Sequence, residues 1–122
     1  MRLLVVDDNP VNQKLLFYSL KKHYDVVMAN NGLEAVQKLN NEAFDAVLMD
    51  LSMPVMDGAE ATLQIRKSDD PRIQNIPIIF VTTNDYDHER ERCLSNGANE
   101  YLTKPVDIPA LIETIDNYLP DR

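Results

Sequence analysis

The sequence predicts one three-layer α/β domain, in which a parallel sheet is covered by helices on both faces. Short aliphatic segments alternate along the chain with segments that carry helical signals. The first four aliphatic segments are near-continuous apolar runs, which is the pattern of strands buried on both faces. A chain of 122 residues, 44% of them hydrophobic, is long enough to bury the core of one such domain. We therefore expect a single domain over residues 1–122.

The predicted strands are recognised by their β-branched and aliphatic residues. They cover residues 3–6, 26–29, 46–49, 78–81 and, with a weaker pattern, 101–102. Because helices connect consecutive strands, we expect right-handed crossovers and parallel pairing. Ligands of open sheets of this kind bind beyond the carboxyl ends of the strands, where the strand order reverses.

Capping residues and apolar spacing predict the helices. Asn9 and Pro10 form an N-cap followed by a first-turn proline, and Val11, Leu15 and Tyr18 follow at helical spacing. A second helix follows Asn31, and a third ends before a polar loop at 68–75. The apolar positions of these later helices recur every three or four residues: Leu33, Val36 and Leu39 in the second, Ala61 and Ile65 in the third, and Ile108, Leu111, Ile112, Ile115 and Leu119 in the last.

The segment 86–94 has the poorest helical pattern, because five of its nine residues are ionic. We predict a weakly anchored helix there, and this makes the segment a candidate for a conformational change. Asn96 and Gly97 follow it as a C-cap, since glycine tolerates the left-handed conformation that ends many helices.

Composition and charge exclude several classes of function. The chain has 20 acidic and 12 basic side chains and a formal charge of -8, which argues against direct binding of nucleic acid. The apolar runs are too short to cross a membrane, and no signal layout is present at the N-terminus. A single cysteine, Cys93, suits a reducing compartment and is interpreted as a packed thiol. We expect a cytoplasmic protein without a membrane partner.

Polar side chains follow four of the five strands. They are Asp7 and Asp8 after the first, Asp50 after the third, Thr82 and Thr83 after the fourth, and Thr103 and Lys104 after the fifth. Each alone has an ordinary explanation as a turn, cap or surface residue. If the first and third strands are neighbours, three carboxylates converge and need a cation to offset their repulsion. Mg²⁺ prefers such oxygen ligands, so we predict a Mg²⁺ site in which Mn²⁺ can substitute.

At this point the sequence resembles the receiver domains of response regulators, the phosphoacceptor modules of two-component signalling. The resemblance rests on four motifs in order: "LLVVDDNPVN", "AVLMDLSMPVMDG", "PIIFVTTN" and "GANEYLTKPV". The segments "DDNPVNQKLL" and "NNGLEAV" are further similar to receivers attached to hybrid sensor kinases. The resemblance implies a flavodoxin-like (βα)5 fold with a parallel sheet of strand order 2-1-3-4-5.

The resemblance also implies the roles of individual residues. Asp50 accepts a phosphoryl group from a phosphohistidine on a histidine kinase or a histidine phosphotransfer protein. Asp8, Asp50 and the Ser52 backbone carbonyl bind Mg²⁺, and Asp7 binds it largely through water. Thr82 and Lys104 hold the phosphoryl oxygens, and Tyr101 changes rotamer on activation, which alters the face formed by residues 86–106. The Lys104–Pro105 bond is expected to be cis, and a kinase or output domain outside this chain is a possible covalent partner.

Two residues depart from the commonest receiver pattern. Thr83 stands where receivers usually have Ala or Gly, which narrows the path to Asp50. Phe80 is bulky for the fourth strand, so the packing behind the site is hard to foresee. His23 and His88 lie at neither a strand end nor a metal-ligand spacing, and we interpret both as surface or boundary residues.

Other functions of this pattern stay open. An aspartyl-phosphate phosphatase similar to the haloacid dehalogenase group carries a second aspartate two residues after its nucleophile, where this chain has Ser52. A flavodoxin-like cofactor binder needs a phosphate loop after the first strand, where Asp7 and Asp8 repel phosphate. An interaction domain that works without phosphorylation is a third alternative. We expect no enzymatic turnover beyond self-catalysed phosphotransfer and slow self-dephosphorylation.

Overall fold

The computed structural model describes residues 1–119 and contains five strands and six helices in that range. The strands are β1 (Arg2–Val6), β2 (Asp25–Ala29), β3 (Ala46–Met49), β4 (Ile78–Thr82) and β5 (Glu100–Thr103). The helices are α1 (Pro10–Leu20), α2 (Gly32–Asn41), α3 (Gly58–Arg66), α4 (Pro71–Gln74), α5 (Asp87–Ser95) and α6 (Ile108–Tyr118). Residues 120–122, the end of the predicted domain, lie outside the described residues.

The strands form one parallel sheet in the order β2-β1-β3-β4-β5. All five predicted strands are present, and four of them extend one or two residues beyond the prediction. Helices α1 and α6 cover one face, with Leu16, Leu20, Leu111 and Ile115 in its apolar cluster. The remaining four helices cover the other face. The predicted flavodoxin-like three-layer architecture and strand order are therefore confirmed.

Helix α1 begins where the sequence predicted it. The Asn9 side chain accepts hydrogen bonds from the backbone N–H groups of Val11 and Asn12, as expected of an N-cap. However, the residues at helical spacing, Val11, Leu15 and Tyr18, are all more than half exposed. A second stripe of Leu16 and Leu20 packs against the sheet instead. The helix carries two apolar stripes, and only one of them can face the core.

The other helices differ from the predictions in detail. Ala61, Ile65, Leu111 and Ile115 are buried as predicted, but Leu33 is 40% exposed and Ala35 takes its place in the core. The segment 68–75, predicted to be a polar loop, contains the short helix α4. Asp70 caps this helix, Pro71 is its first residue, and Ile73 is buried beneath it. A single apolar residue in a polar stretch is too weak a signal for periodicity to detect.

Helix α5 is weakly anchored, as predicted. Cys93 is its only fully buried side chain, and Tyr86 at its N-terminus provides no side-chain cap. Polar contacts join it to the start of α3: Arg92 Nη2 lies 2.8 Å from Asp57 Oδ2, and Asn96 Nδ2 donates to the Ala59 carbonyl at 2.9 Å. The helix ends at Ser95 with Asn96 as its C-cap, and Gly97 follows with a φ of +115°. None of the helices in residues 1–119 has the length and apolar character needed to cross a bilayer.

Candidate functional site

The pairing of β1 with β3 brings the acidic strand ends together. Val6 is the register partner of Met49, so Asp7 and Asp50 each follow the last paired residue of neighbouring strands. The Asp50 backbone N–H donates to the Val6 carbonyl at 3.0 Å, which extends the ladder by one bond. The Asp7 N–H donates likewise to Ala29 at the end of β2, at 3.1 Å. The sheet itself therefore holds both backbones at the candidate site.

Three carboxylates converge at this edge. One oxygen from each of Asp7, Asp8 and Asp50 lies within 4.8 Å of the other two. Asp7 is 1% exposed, Asp50 is 9% exposed, and Asp8 is open to solvent. Oxygen donors that repel one another at this distance and open to water on one side fit a hard divalent cation such as Mg²⁺. The donor set therefore supports the predicted metal site.

Lys104, the residue that follows β5, reaches the same group of carboxylates. Its Nζ lies 2.9 Å from Asp7 Oδ2 and 4.0 Å from Asp50 Oδ2. Its backbone N–H donates to the Thr82 carbonyl at 2.7 Å, and the Lys104–Pro105 bond is cis, the geometry that the resemblance implies. The ammonium group therefore lies between two of the three carboxylates.

The environment of Asp50 disfavours its charged form. Burial, with a contribution from the nearby Asp7 charge, raises the pKa of the Asp50 carboxyl above its ordinary value. The Thr82 hydroxyl, the Lys104 charge and the hydrogen bond from the Leu51 N–H to Asp50 Oδ1, at 2.8 Å, offset part of this effect. A positive charge placed near Asp50 therefore stabilises its ionised carboxylate.

Thr82 and Tyr101 are joined through Asn84 in the loop before α5. The Asn84 N–H donates to Thr82 Oγ1 at 3.3 Å, and the Tyr101 hydroxyl donates to the Asn84 carbonyl at 2.7 Å. The Tyr101 ring is 8% exposed and stacks on Phe80 at 5.7 Å between centroids. Burial, together with nearby acidic groups, raises the pKa of Tyr101 to about 12. Tyr101 therefore lies in the interior, and Phe80 fills the space behind it.

The loop after Asp50 depends on a close backbone approach. The Gly58 N–H donates to the Leu51 carbonyl at 2.9 Å, and a Cβ at Gly58 would collide with the Asp50 carbonyl oxygen and the Phe80 ring. Glycine is the only residue that allows this packing without a shift of the backbone. The start of α3 is therefore packed directly against the backbone of Asp50.

The remaining residues singled out in the sequence are all exposed. Ser52 is exposed in the loop after Asp50, and its role as a carbonyl ligand stays a prediction. Thr83 is exposed and lies with Lys104 in the lining of an apolar cleft beside the site. His23 and His88 are exposed, as expected of surface residues.

Sequence reasoning missed three features of the site. It did not foresee that Lys104 pairs most closely with Asp7, or that Phe80 stacks on Tyr101. It also missed Gln13, whose side chain donates to the backbone carbonyl of Asp7. A polar residue within an amphipathic helix is ordinarily solvated, so composition and spacing contain no signal for such a contact.

Comparison with known proteins shows the family to which this chain is similar. The family model described as the response regulator receiver domain matches residues 3–116. Protein PilH of Pseudomonas aeruginosa is 41% identical over 119 residues, covering 97% of each chain. Sensor histidine kinase RcsC of Salmonella typhi is 40% identical over 97% of this chain, which spans only 12% of that protein.

Two solved structures show the same architecture. The receiver domain of sensor histidine kinase PA1611 from Pseudomonas aeruginosa, with a magnesium ion in its active-site cleft, aligns with a TM-score of 0.88 and 36% identity, covering 96% of this chain and 95% of that one. A co-crystal of the Saccharomyces cerevisiae histidine phosphotransfer protein Ypd1 with the Ssk1 receiver domain aligns with a TM-score of 0.85 and 33% identity, covering 97% of this chain and 88% of that one. The chain belongs to the response regulator receiver domains of two-component signalling.

Proposed function

We propose that this receiver domain accepts a phosphoryl group on Asp50 from a phosphohistidine of a partner protein, in a Mg²⁺-dependent reaction. The observation that carries the proposal is the convergence of Asp7, Asp8 and Asp50 within 4.8 Å, with the Lys104 ammonium beside them. Asp50 lies at the end of β3, where the bonds of its backbone to Val6 and of its carboxylate to Leu51 fix its direction. Preorganisation of this kind is what phosphoryl transfer requires of a protein.

The transfer is a displacement at phosphorus. An Asp50 carboxylate oxygen forms a new P–O bond, the P–N bond to the donor imidazole breaks, and its electron pair returns to the imidazole nitrogen. Mg²⁺, when bound, offsets negative charge on the transferring group. Asp7, Asp8, Asp50 and the Ser52 carbonyl are the groups proposed to hold it, with Mn²⁺ as a substitute. The product is an acyl phosphate on Asp50.

Lys104 and Thr82 are proposed to hold the oxygens of the transferred group. The Lys104 ammonium lies 4.0 Å from Asp50 Oδ2 and supplies a compact positive charge. The Thr82 hydroxyl is buried at the end of the neighbouring strand and has a donor hydrogen that the phosphoryl group can accept. Both side chains are therefore placed to offset charge that develops next to Asp50.

The proposed switch runs from Thr82 through Asn84 to Tyr101. A Thr82 hydroxyl drawn toward a phosphoryl group no longer lies in place to accept from the Asn84 N–H. The Asn84 loop leads directly into α5, whose only fully buried side chain is Cys93. Because so little apolar packing holds this helix, a local charge change can shift the face formed by residues 86–106.

The family supports a proposal for the partners and the location of this domain. The proposed donor is a histidine kinase or a histidine phosphotransfer protein, which the co-crystal of Ypd1 with the Ssk1 receiver supports. Relatives that are parts of histidine kinases support a kinase or output domain joined to this domain in a longer chain. We place the domain of residues 1–122 in the cytoplasm, with no catalytic turnover beyond self-catalysed phosphotransfer and slow loss of the phosphoryl group.

The test is phosphorylation in solution. The protein is incubated with Mg²⁺ and either acetyl phosphate or a phosphorylated histidine kinase, and its intact mass is measured, with Asp50→Asn as the control. We expect one hydroxylamine-sensitive phosphoryl group in the wild-type protein and none in the variant. Failure of both donors to modify folded protein would refute the proposal.

A further inference from the structure

The side chain of Gln13 connects helix α1 to the acidic strand end. Its Nε2 donates to the backbone carbonyl of Asp7 at 2.5 Å and to Asn30 Oδ1 at 2.8 Å. Gln13 is half-buried in the first turn of α1, and its amide folds back over the loop that carries Asp8. This contact therefore joins the ends of β1 and β2 to the start of α1.

Asp7 and Asp8 differ in how their side chains are held. Within residues 1–119 the Asp8 carboxylate makes no hydrogen bond or ion pair, whereas Asp7 is held by the Asn9 N–H and by Lys104. The peptide unit that precedes Asp8 joins it to Asp7. The carbonyl of that unit is the acceptor of the Gln13 amide. Gln13 thus contacts the peptide unit that immediately precedes Asp8.

The second acceptor of Gln13 is itself oriented. The Asn30 Nδ2 donates to Glu34 Oε2 at 3.2 Å and to Oε1 at 3.4 Å, which turns the Asn30 carbonyl oxygen toward Gln13. An amide with both of its donor hydrogens directed at fixed acceptors has little freedom to rotate. Gln13, Asn30 and Glu34 therefore form a chain that holds the Asp7 carbonyl in one position.

We propose that Gln13 is a positioning residue for the metal site, which holds the Asp7–Asp8 peptide so that Asp8 converges with Asp7 and Asp50. The inference rests on the proposed function, because it concerns the same Mg²⁺ site. Groups that orient the ligands of a metal typically change its affinity by about tenfold or more when removed. Gln13 thus affects the affinity of the site for the metal and takes no direct part in phosphoryl transfer.

The test compares Mg²⁺ binding in matched variants. Gln13→Met keeps the length of the side chain and removes its donors, and Gln37→Met makes the same change at an exposed position of α2. Mg²⁺ affinity is measured by calorimetry on protein shown to be folded by circular dichroism. We expect the dissociation constant to rise about tenfold in Gln13→Met and to stay unchanged in Gln37→Met.

A rate measurement separates positioning from a general loss of structure. In Gln13→Met, the Mg²⁺ concentration for half-maximal phosphorylation by acetyl phosphate should rise by the same factor, while the rate at saturating Mg²⁺ is kept. Asn30→Ala should weaken Mg²⁺ binding by a smaller factor and add nothing in the Gln13→Met background. This variant also serves if Gln13→Met fails to fold.

The outcomes distinguish the inference from the function on which it rests. Equal Mg²⁺ affinity in the wild-type protein, Gln13→Met and Asn30→Ala would overturn the positioning role and leave the proposed function intact. A lower saturating rate with unchanged affinity would also overturn it. Wild-type protein that binds no Mg²⁺ would overturn the proposed function, and this inference with it.

Discussion

The Lys104 ammonium lies 2.9 Å from the Asp7 carboxylate and 4.0 Å from that of Asp50, so one cation serves two acidic strand ends. Asp7 is almost completely buried, so bulk solvent has little access to replace this partner. The lysine therefore has a structural part in addition to its proposed contact with a phosphoryl group. We therefore expect charge balance at the site and stability of the fold to depend on the same side chain.

Replacement of Lys104 tests this double role. Lys104→Met leaves the buried Asp7 carboxylate without its ion-pair partner, so we expect the free energy of unfolding to fall by about 1–3 kcal/mol at neutral pH in EDTA. Urea unfolding followed by circular dichroism measures it. The control is Arg72→Met, which breaks an exposed ion pair with Asp70 and should leave stability nearly unchanged. Equal stability of Lys104→Met and the wild-type protein would contradict a role of Lys104 in stabilising the fold.

The raised pKa of Asp50 predicts a pH-dependent stability. A carboxyl whose pKa is higher in the folded protein stabilises the fold when protonated, and this contribution is lost as the pH rises through the folded pKa. Asp50→Asn should therefore raise the melting temperature by a few degrees at pH 7 in EDTA. The gain should shrink as the pH falls toward the ordinary pKa of aspartate.

The matched control for this measurement is Asp69→Asn, at an exposed position in the loop before α4. Its melting temperature should follow that of the wild-type protein at every pH. A destabilised Asp50→Asn protein at pH 7 would show that the site favours the charged carboxylate, contrary to the effect of burial.

Thr83 is predicted to slow the approach of small donors. Its side chain is exposed beside Lys104, at the end of the strand next to Asp50. Thr83→Ala should increase the rate of phosphorylation by acetyl phosphate severalfold, because a smaller side chain widens the path to Asp50. Thr114→Ala, on α6, should have no effect. Equal rates in Thr83→Ala and the wild-type protein would count against a steric role.

The Tyr101 hydroxyl is predicted to hold the loop that precedes α5. Tyr101→Phe removes its hydrogen bond to the Asn84 carbonyl, which should cost about 1 kcal/mol of stability. It should also speed amide hydrogen exchange in α5 of the unphosphorylated protein, because that helix has little apolar packing. Tyr86→Phe, at a 64% exposed position, is the control. If amide hydrogen exchange in α5 is unchanged in Tyr101→Phe, the Tyr101 hydroxyl does not stabilise that helix.

The sequence predicted the sheet and the acidic cluster because both depend on simple rules. Continuous apolar runs mark buried strands, and parallel strands carry their C-terminal residues to one edge. Asp7, Asp8 and Asp50 were therefore expected to converge if the first and third strands were neighbours, which is the order that the resemblance to receiver domains implies. The exposed stripe of Val11 and Leu15 on α1 was misjudged, since periodicity does not tell which of two stripes meets the sheet.

Contacts between side chains distant in the chain were beyond the reach of patterns. Lys104 and Asp7 are 97 positions apart, and Phe80 and Tyr101 lie on different strands. Helix α4 was missed because only Ile73 within it is buried. Such features depend on the final packing of the chain, and a residue type or a spacing contains little information about them.

The most direct test of the account is to locate the phosphoryl group by chemistry. Protein treated with acetyl phosphate and Mg²⁺ is reduced with borohydride, which converts an aspartyl phosphate to homoserine, and its peptides are sequenced by mass spectrometry. The account predicts homoserine at position 50, and none when EDTA replaces Mg²⁺ or when Asp50 is asparagine. Homoserine at another aspartate, or equal conversion of Asp50 in EDTA, would contradict it.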